Sequence, residues 1–137
     1  MENVGKELIK LFKTHRSFLN EKLASIGLYA GQEGLLFHLS QNDGLTMSQL
    51  TEKMSIQHAT LFTMVERMAK NDLIVKRKDE EDKRTSRILL TSNGRKKLER
   101  LSTIWLETEK QIIKGLTQSE IKTFIELTIK INNNLNK

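Results

Sequence analysis

The chain has 137 residues, a net charge of +6, a hydrophobic fraction of 37% and a charged fraction of 29%. Those proportions suit one globular domain, 1–137, with a core of its own rather than a disordered or membrane-spanning chain. The absence of cysteine excludes disulfides, thiolate metal sites and thiol redox sensing. No apolar run approaches the roughly eighteen residues that a membrane span needs. Glu2 and Glu7 stand where a signal peptide would be basic and apolar, so a cytoplasmic location is expected.

The charge is unevenly spread. Residues 1–45 are neutral overall, residues 46–100 carry +5 and residues 101–137 carry +1. A central excess of that kind points that segment at a polyanion and gives the flanks another task. A solvated basic surface would read the same way on charge alone.

Proline is absent and glycine sparse, so nothing divides the chain into parts. Leu8, Leu11, Phe12, His15, Leu19, Leu23 and Ile26 recur at three- and four-residue steps, predicting a helix over about 4–26 that Gly27 ends. A shorter helix is expected from Gly31 to Leu39, followed by the turn cluster Gln41-Asn42-Asp43-Gly44. Thr46 and Gln49 have the spacing of a capping box, opening a short helix that ends near Met54. The next helix runs to about Asn71, with Leu61, Phe62, Val65, Met68 and Ala69 on one face and Thr60, Thr63, Arg67 and Lys70 opposite. Leu73–Lys78 and Arg87–Thr91 read as two strands of a hairpin around a highly polar tip. Thr91 or Ser92 then caps a long helix bearing Leu98, Leu101, Trp105, Ile112 and Ile113, which Gly115 breaks. Thr117 and Glu120 form a second capping box, opening a last helix with Ile121, Phe124, Ile125, Thr128 and Ile131 on one side.

This predicts a mainly α (α+β) fold: a winged helix-turn-helix over about 30–91, with long helices over about 4–26 and 92–135. The long helices carry more apolar surface than so small a core can cover, so their surplus faces are expected to meet a second copy of the chain. A monomeric bundle is the alternative.

Two helices joined by a tight turn, the second with a small polar outer face, follow the logic by which a recognition helix enters the major groove. Gln57 and His58 stand at its start. Ala59 suits a thymine methyl, and the hydroxyls of Thr60 and Thr63 suit bases or phosphates. Arg67 and Lys70 lie where the helix leaves the groove and meets the backbone. In the hairpin tip, Lys83, Arg84 and Arg87 offer cations among four acids. Asp82 is expected to hold the Arg84 guanidinium in one orientation for a narrow minor groove. An ordinary exposed ion pair is the plainer reading.

The order of parts and the run Asp82-Lys83-Arg84 followed by Leu89-Leu90-Thr91-Ser92-Asn93-Gly94 resemble the MarR family of bacterial transcriptional regulators. Leu28-Tyr29-Ala30-Gly31-Gln32, Asp43-Gly44-Leu45-Thr46 and Ala59-Thr60 with Met68 add support. The resemblance implies a triangular homodimer on pseudo-palindromic double-stranded promoter DNA. It also implies repression, relieved when a small molecule binds between the dimerisation and DNA-binding regions. Phe12, His15, Arg16, His38 and Trp105 are the candidate effector contacts, and Arg16 suits an anionic aromatic. The chain departs from the family at Asp72, where glycine is usual, so Asn71 or Asp72 must make a left-handed turn.

Rival functions lack parts. There is no serine, histidine and acid arrangement, no glycine-rich phosphate loop and no calcium-loop spacing in the acidic run 79–82, so neither an enzyme nor a metal or other cofactor is expected. His15, His38 and His58 lie on separate elements. A winged helix used as a protein-interaction adaptor is the remaining alternative.

Overall fold

The computed structural model describes residues 3–136. Six helices and three strands follow one another: α1 (Val4–Ala24), α2 (Gln32–Gln41), β1 (Leu45–Thr46), α3 (Met47–Met54), α4 (His58–Lys70), β2 (Ile74–Lys78), β3 (Ser86–Leu90), α5 (Ser92–Ile112) and α6 (Gln118–Leu135). They form two compact units, one ending at Ile104 and the other beginning at Trp105.

Local chemistry sets the ends of most helices. Asn3 caps α1 by accepting from the Lys6 amide. At the other end Gly27 takes the left-handed conformation (φ 77°). The Leu28 amide returns to the Leu23 carbonyl at 2.9 Å and the Gly27 amide to Ala24 at 3.0 Å, the paired bonds of a Schellman turn. Leu23 and Leu28, the two side chains such a turn brings together, are both fully buried. Thr46 and Gln49 make both halves of the capping box that opens α3, and Thr117 and Glu120 do the same for α6. The helix predicted to reach residue 26 stops two residues earlier, because the Schellman bonds use its last carbonyls. The helix predicted over 31–39 instead spans Gln32–Gln41.

In the first unit, Leu19 and Leu23 of α1 share a core with Leu35, Leu36 and Leu39 of α2, Leu50 of α3, and Leu61, Val65 and Met68 of α4. Ile74, Ile88 and Leu90 of the strands and Leu101 and Ile104 of α5 complete it. The sheet order is β1-β3-β2, antiparallel throughout, with Leu45 opposite Ile88 and Ile74 opposite Leu90. β1 was not predicted as a strand, since two residues are too few to show a period of two. Phe62, placed by its spacing on the buried face of α4, is instead 48% exposed. Its ring lies under the Lys76 ammonium, 4.6 Å from the centroid.

In the second unit, α6 buries no residue at all. Phe124, Ile125, Leu127, Ile129 and Leu135 are exposed, as are Val4, Ile9, Leu11 and Phe12 at the far end of α1 in the first unit. No helix among the described residues is long and apolar enough to cross a membrane.

The feet of the β2–β3 hairpin are held at one junction. Asp72 adopts the left-handed conformation (φ 61°), so of the two candidates it is Asp72 that makes the turn. The cost of a side chain there is offset by contacts. Its carbonyl accepts from Thr91 Oγ1 at 2.6 Å, its carboxylate accepts from Asn93 Nδ2 at 2.6 Å, and Thr91 Oγ1 in turn caps α5 by accepting from the Gly94 amide at 2.9 Å. The Thr91 amide donates to the Leu73 carbonyl at 3.2 Å. Gly94 passes so close that a Cβ there would sit 2.1 Å from the Leu73 carbonyl oxygen. Backbone cannot yield as a flexible side chain can, so Gly94→Ala is expected to destabilise the fold by about 2 kcal/mol or more. Urea unfolding of the two proteins measures it; an unchanged midpoint contradicts the close packing.

Candidate nucleic-acid interface

α4 stands as a ridge between two open clefts. One, of about 470 Å³, is lined by Tyr29, Gln32, Thr60, Thr63, Met64 and Arg67. The other, of about 560 Å³, lies between the start of α3, α4 and the wing, with Met47, His58, Phe62, Lys76, Arg84 and Thr85 on its walls. The ridge follows from the sequence of α4. Leu61, Val65 and Met68 turn inward, so Ala59, Thr60, Thr63, Arg67 and Lys70 are left outward, all of them exposed. Gln57 is the N-cap residue of α4 but makes no side-chain cap bond, and both it and His58 are exposed at the helix start. The Thr63 hydroxyl donates to the Ala59 carbonyl at 3.2 Å, which leaves its oxygen able to accept but takes its proton.

The wing is residues 79–85, and two of its four acids, Asp79 and Asp82, have internal work, while Glu80 and Glu81 are exposed. Asp82 Oδ1 accepts from the Arg84 amide at 3.1 Å and from Arg84 Nε at 3.2 Å, while its other oxygen accepts from Thr85 Oγ1 at 3.3 Å. The Arg84 side chain is held at its Nε and is otherwise 93% exposed. Lys83 beside it is exposed too. Asp79 accepts from Arg87 Nε at 2.7 Å and from the Asp82 amide at 3.1 Å. Arg87 also donates from Nη1 to the Gly44 carbonyl at 2.8 Å. Two of its donors are therefore committed inside the protein, so Arg87 braces the wing against the turn before β1, whereas Lys83 and Arg84 project from the tip.

Asp43, in that turn, ties three elements together. Its Oδ1 accepts from the Leu90 amide at 2.9 Å and the Gly44 amide at 3.1 Å, and its Oδ2 accepts from Arg95 Nη2 of α5 at 2.9 Å. Neither Asp43 nor Asp79 was among the predicted site residues. Their partners lie across the sheet, and nothing local in the sequence reveals them.

The candidate effector residues are less convergent. In the first unit Phe12 and His15 are exposed, and His38 packs edge-on against Phe37 with ring centroids 5.4 Å apart. Arg16 donates from Nη1 to the largely buried Glu33 carboxylate at 2.8 Å. Trp105 opens the second unit. Among the described residues no group of histidines and acids is placed to hold a metal ion.

A protruding helix preceded by a short helix and turn, flanked by a three-stranded sheet whose hairpin projects Lys83 and Arg84 from its tip, defines a winged helix-turn-helix protein. The model of the MarR family matches residues 28–86, from within the α1–α2 connection to the first residue of β3. Over those residues the chain is similar to the MarR family of transcriptional regulators. It is similar to the HTH-type transcriptional regulator YwoH of Bacillus subtilis, 26% identical over 79% of this chain and 78% of that protein. Its fold matches a crystal structure of a mutant E. coli MarR complexed with operator DNA. The TM-score is 0.84 at 22% identity, over 93% of this chain and 92% of that one. It also matches Bordetella bronchiseptica BpsR, whose DNA binding is regulated by 6-hydroxynicotinic acid, with a TM-score of 0.83 at 22% identity over 96% and 94% of the two chains.

The Arg87 hydrogen bond, followed by the Asp82 amide, holds the Asp79 carboxyl below the usual aspartate range against the opposing effect of burial. Since the folded value is the depressed one, the contribution of this carboxylate to stability is complete at neutral pH. It starts to decline only in the range where a free aspartate titrates, and is lost as pH falls through the lower folded value. An NMR titration of the Asp79 carboxyl carbon is expected to give a midpoint below that of a peptide aspartate, and Arg87→Ala to return it toward the ordinary value.

Proposed function

We propose that the chain acts as a homodimer that binds pseudo-palindromic duplex DNA, with α4 in the major groove and the wing tip in the adjacent minor groove. On this reading it represses transcription until a small-molecule effector lowers its affinity. The observation that carries the reading is the exposed outer face of α4 beside an Arg84 held by Asp82 at the tip of the wing. The similarity to a MarR complexed with operator DNA supports it. The unburied apolar faces of α6 and of the first half of α1 support the dimer, since exposed apolar surface of that extent marks an interface. The similarity to BpsR supports an effector, with Phe12, His15, Arg16, His38 and Trp105 as its candidate contacts. Any anionic aromatic reaching Arg16 has to compete with the Glu33 carboxylate already on it. The single-domain reading stands beside this one: the winged helix reads DNA, and the long helices pair the two copies.

The test is a titration against duplex DNA at several salt concentrations, with the stoichiometry of the complex measured by sedimentation. Several of Lys53, Arg67, Lys70, Lys83 and Arg84 near phosphates give the dimer roughly 6 to 10 contacts. That implies a loss of about a thousandfold or more in affinity between about 50 and 200 mM salt. Two chains per duplex and a steep slope are expected; a flat response favours the adaptor reading.

The wing offers a sharper test. Arg84→Ala removes a cation from the minor groove and is expected to weaken binding to every duplex. Asp82→Ala removes a negative charge near phosphate, so simple electrostatics predicts tighter binding, whereas loss of the bond that orients Arg84 predicts weaker binding. The orienting role predicts weaker binding, with the double variant costing less than the sum of the two because they share one interaction. Tighter binding by Asp82→Ala on specific and scrambled duplexes alike removes that role.

A further inference from the structure

The outward face of α4 carries one acid. At 100° per residue, Ala59, Thr63, Glu66 and Lys70 fall within an arc of about 60° on the side away from Leu61, Val65 and Met68. A loose carboxylate there would face a polyanion and be repelled by it.

This carboxylate is not loose. Lys76 of β2 donates from Nζ to Glu66 Oε1 at 2.7 Å, and the same ammonium sits 4.6 Å from the centroid of the Phe62 ring. The strand register explains the arrangement. Lys76 has the same parity as Ile74 and lies opposite the buried Ile88, so its stem leaves the inward face of the sheet where the core ends. Its charge then has to find partners at that edge, and α4 supplies an aromatic face and an acid. The Lys76 side chain is accordingly 33% exposed and that of Glu66 53% exposed. The result is a neutralised carboxylate fixed to the sheet, with Oε2 engaged by no other group among the described residues.

A fixed, lone acceptor oxygen on a recognition helix discriminates among base edges. Guanine presents O6 and N7 and thymine presents O4, all acceptors that repel it. Adenine offers an N6 donor with the N7 acceptor beside it, and cytosine offers the N4 donor alone. We infer that Glu66 is a specificity-determining residue that selects cytosine at one position of each half-site, with Lys76 and Phe62 as the positioning residues that hold its carboxylate. The inference rests on the proposed DNA-binding function and adds a residue and a base to it. The plainer role for this pair is an exposed ion pair that joins α4 to β2 and contributes little.

The experiment is selection of bound duplexes from a random library by the full-length wild type, Glu66→Ala, Glu66→Gln and Lys76→Met. Each protein is then titrated on the selected duplex and on duplexes changed at single base pairs. The wild type is expected to select cytosine at one symmetric position per half-site. Glu66→Ala should lose about fivefold or more of discrimination there with the remaining motif intact. Glu66→Gln, which is isosteric but adds a donor, should shift the preference toward adenine. Lys76→Met should weaken the cytosine preference, and should have no further effect when added to Glu66→Ala. If the Glu66 variants bind every duplex more tightly and select an unchanged motif, Glu66 is only a repulsive charge; the inference fails while DNA binding stands. If the wild type selects no motif, both fail.

Discussion

The interaction on which the winged helix depends is the clasp at the foot of its hairpin. There the run Thr91-Ser92-Asn93-Gly94 closes on Asp72 and Leu73. α4 leaves the core through Asp72 and α5 begins at Ser92, so the two helices and both strands converge within a few residues. Thr91 serves both sides, donating its hydroxyl to the Asp72 carbonyl and capping α5 at the Gly94 amide. Because Gly94 lies against the Leu73 carbonyl, the start of α5 has little freedom to move relative to the exit of α4. The direction of the recognition helix and the direction of the long helix that follows are thereby linked at one small junction. An aspartate in the left-handed position, which a glycine would occupy without strain, is tolerable because the same side chain is bonded to Asn93.

The wing shows how a basic surface can contain acids without defeating itself. Asp79 and Asp82 are bonded to Arg87, Arg84, Thr85 and backbone amides. Each holds a cation or a turn in place, while Glu80 and Glu81 are exposed in the same wing as the projecting Lys83 and Arg84. Asp43 works in the same manner one layer back, linking the turn before β1 to β3 and α5. Glu66 with Lys76 extends the pattern to the recognition helix. Asp43, Asp79, Asp82 and Glu66 are, one by one, structural partners of particular donors.

Much of this was legible in the sequence, and the elements that were legible are the ones governed by neighbours in the chain. Both capping boxes, the glycine exit at Gly27, the inward stripe of Leu61, Val65 and Met68 and the hairpin follow from spacings of two to four residues, over which helix and strand geometry is fixed. So does the bond from Asp82 to Arg84, two residues away. The outer face of α4 was legible for the same reason, being what remains once the inner stripe is assigned.

Tertiary structure decided what depends on partners distant in the chain. Phe62 has the spacing of a core residue, yet Lys76, fourteen positions on, caps its ring at the edge of the core and leaves it exposed. Arg87 reads as another wing cation, but Gly44 and Asp79 take two of its donors once β1 pairs with β3. β1 itself exists only because β3 offers it bonds. Helical periodicity fixes which side chains share a face, because that is a property of backbone geometry. Whether a charged or aromatic group on that face meets water, DNA or another side chain is set by desolvation and pairing with groups that only the fold brings near.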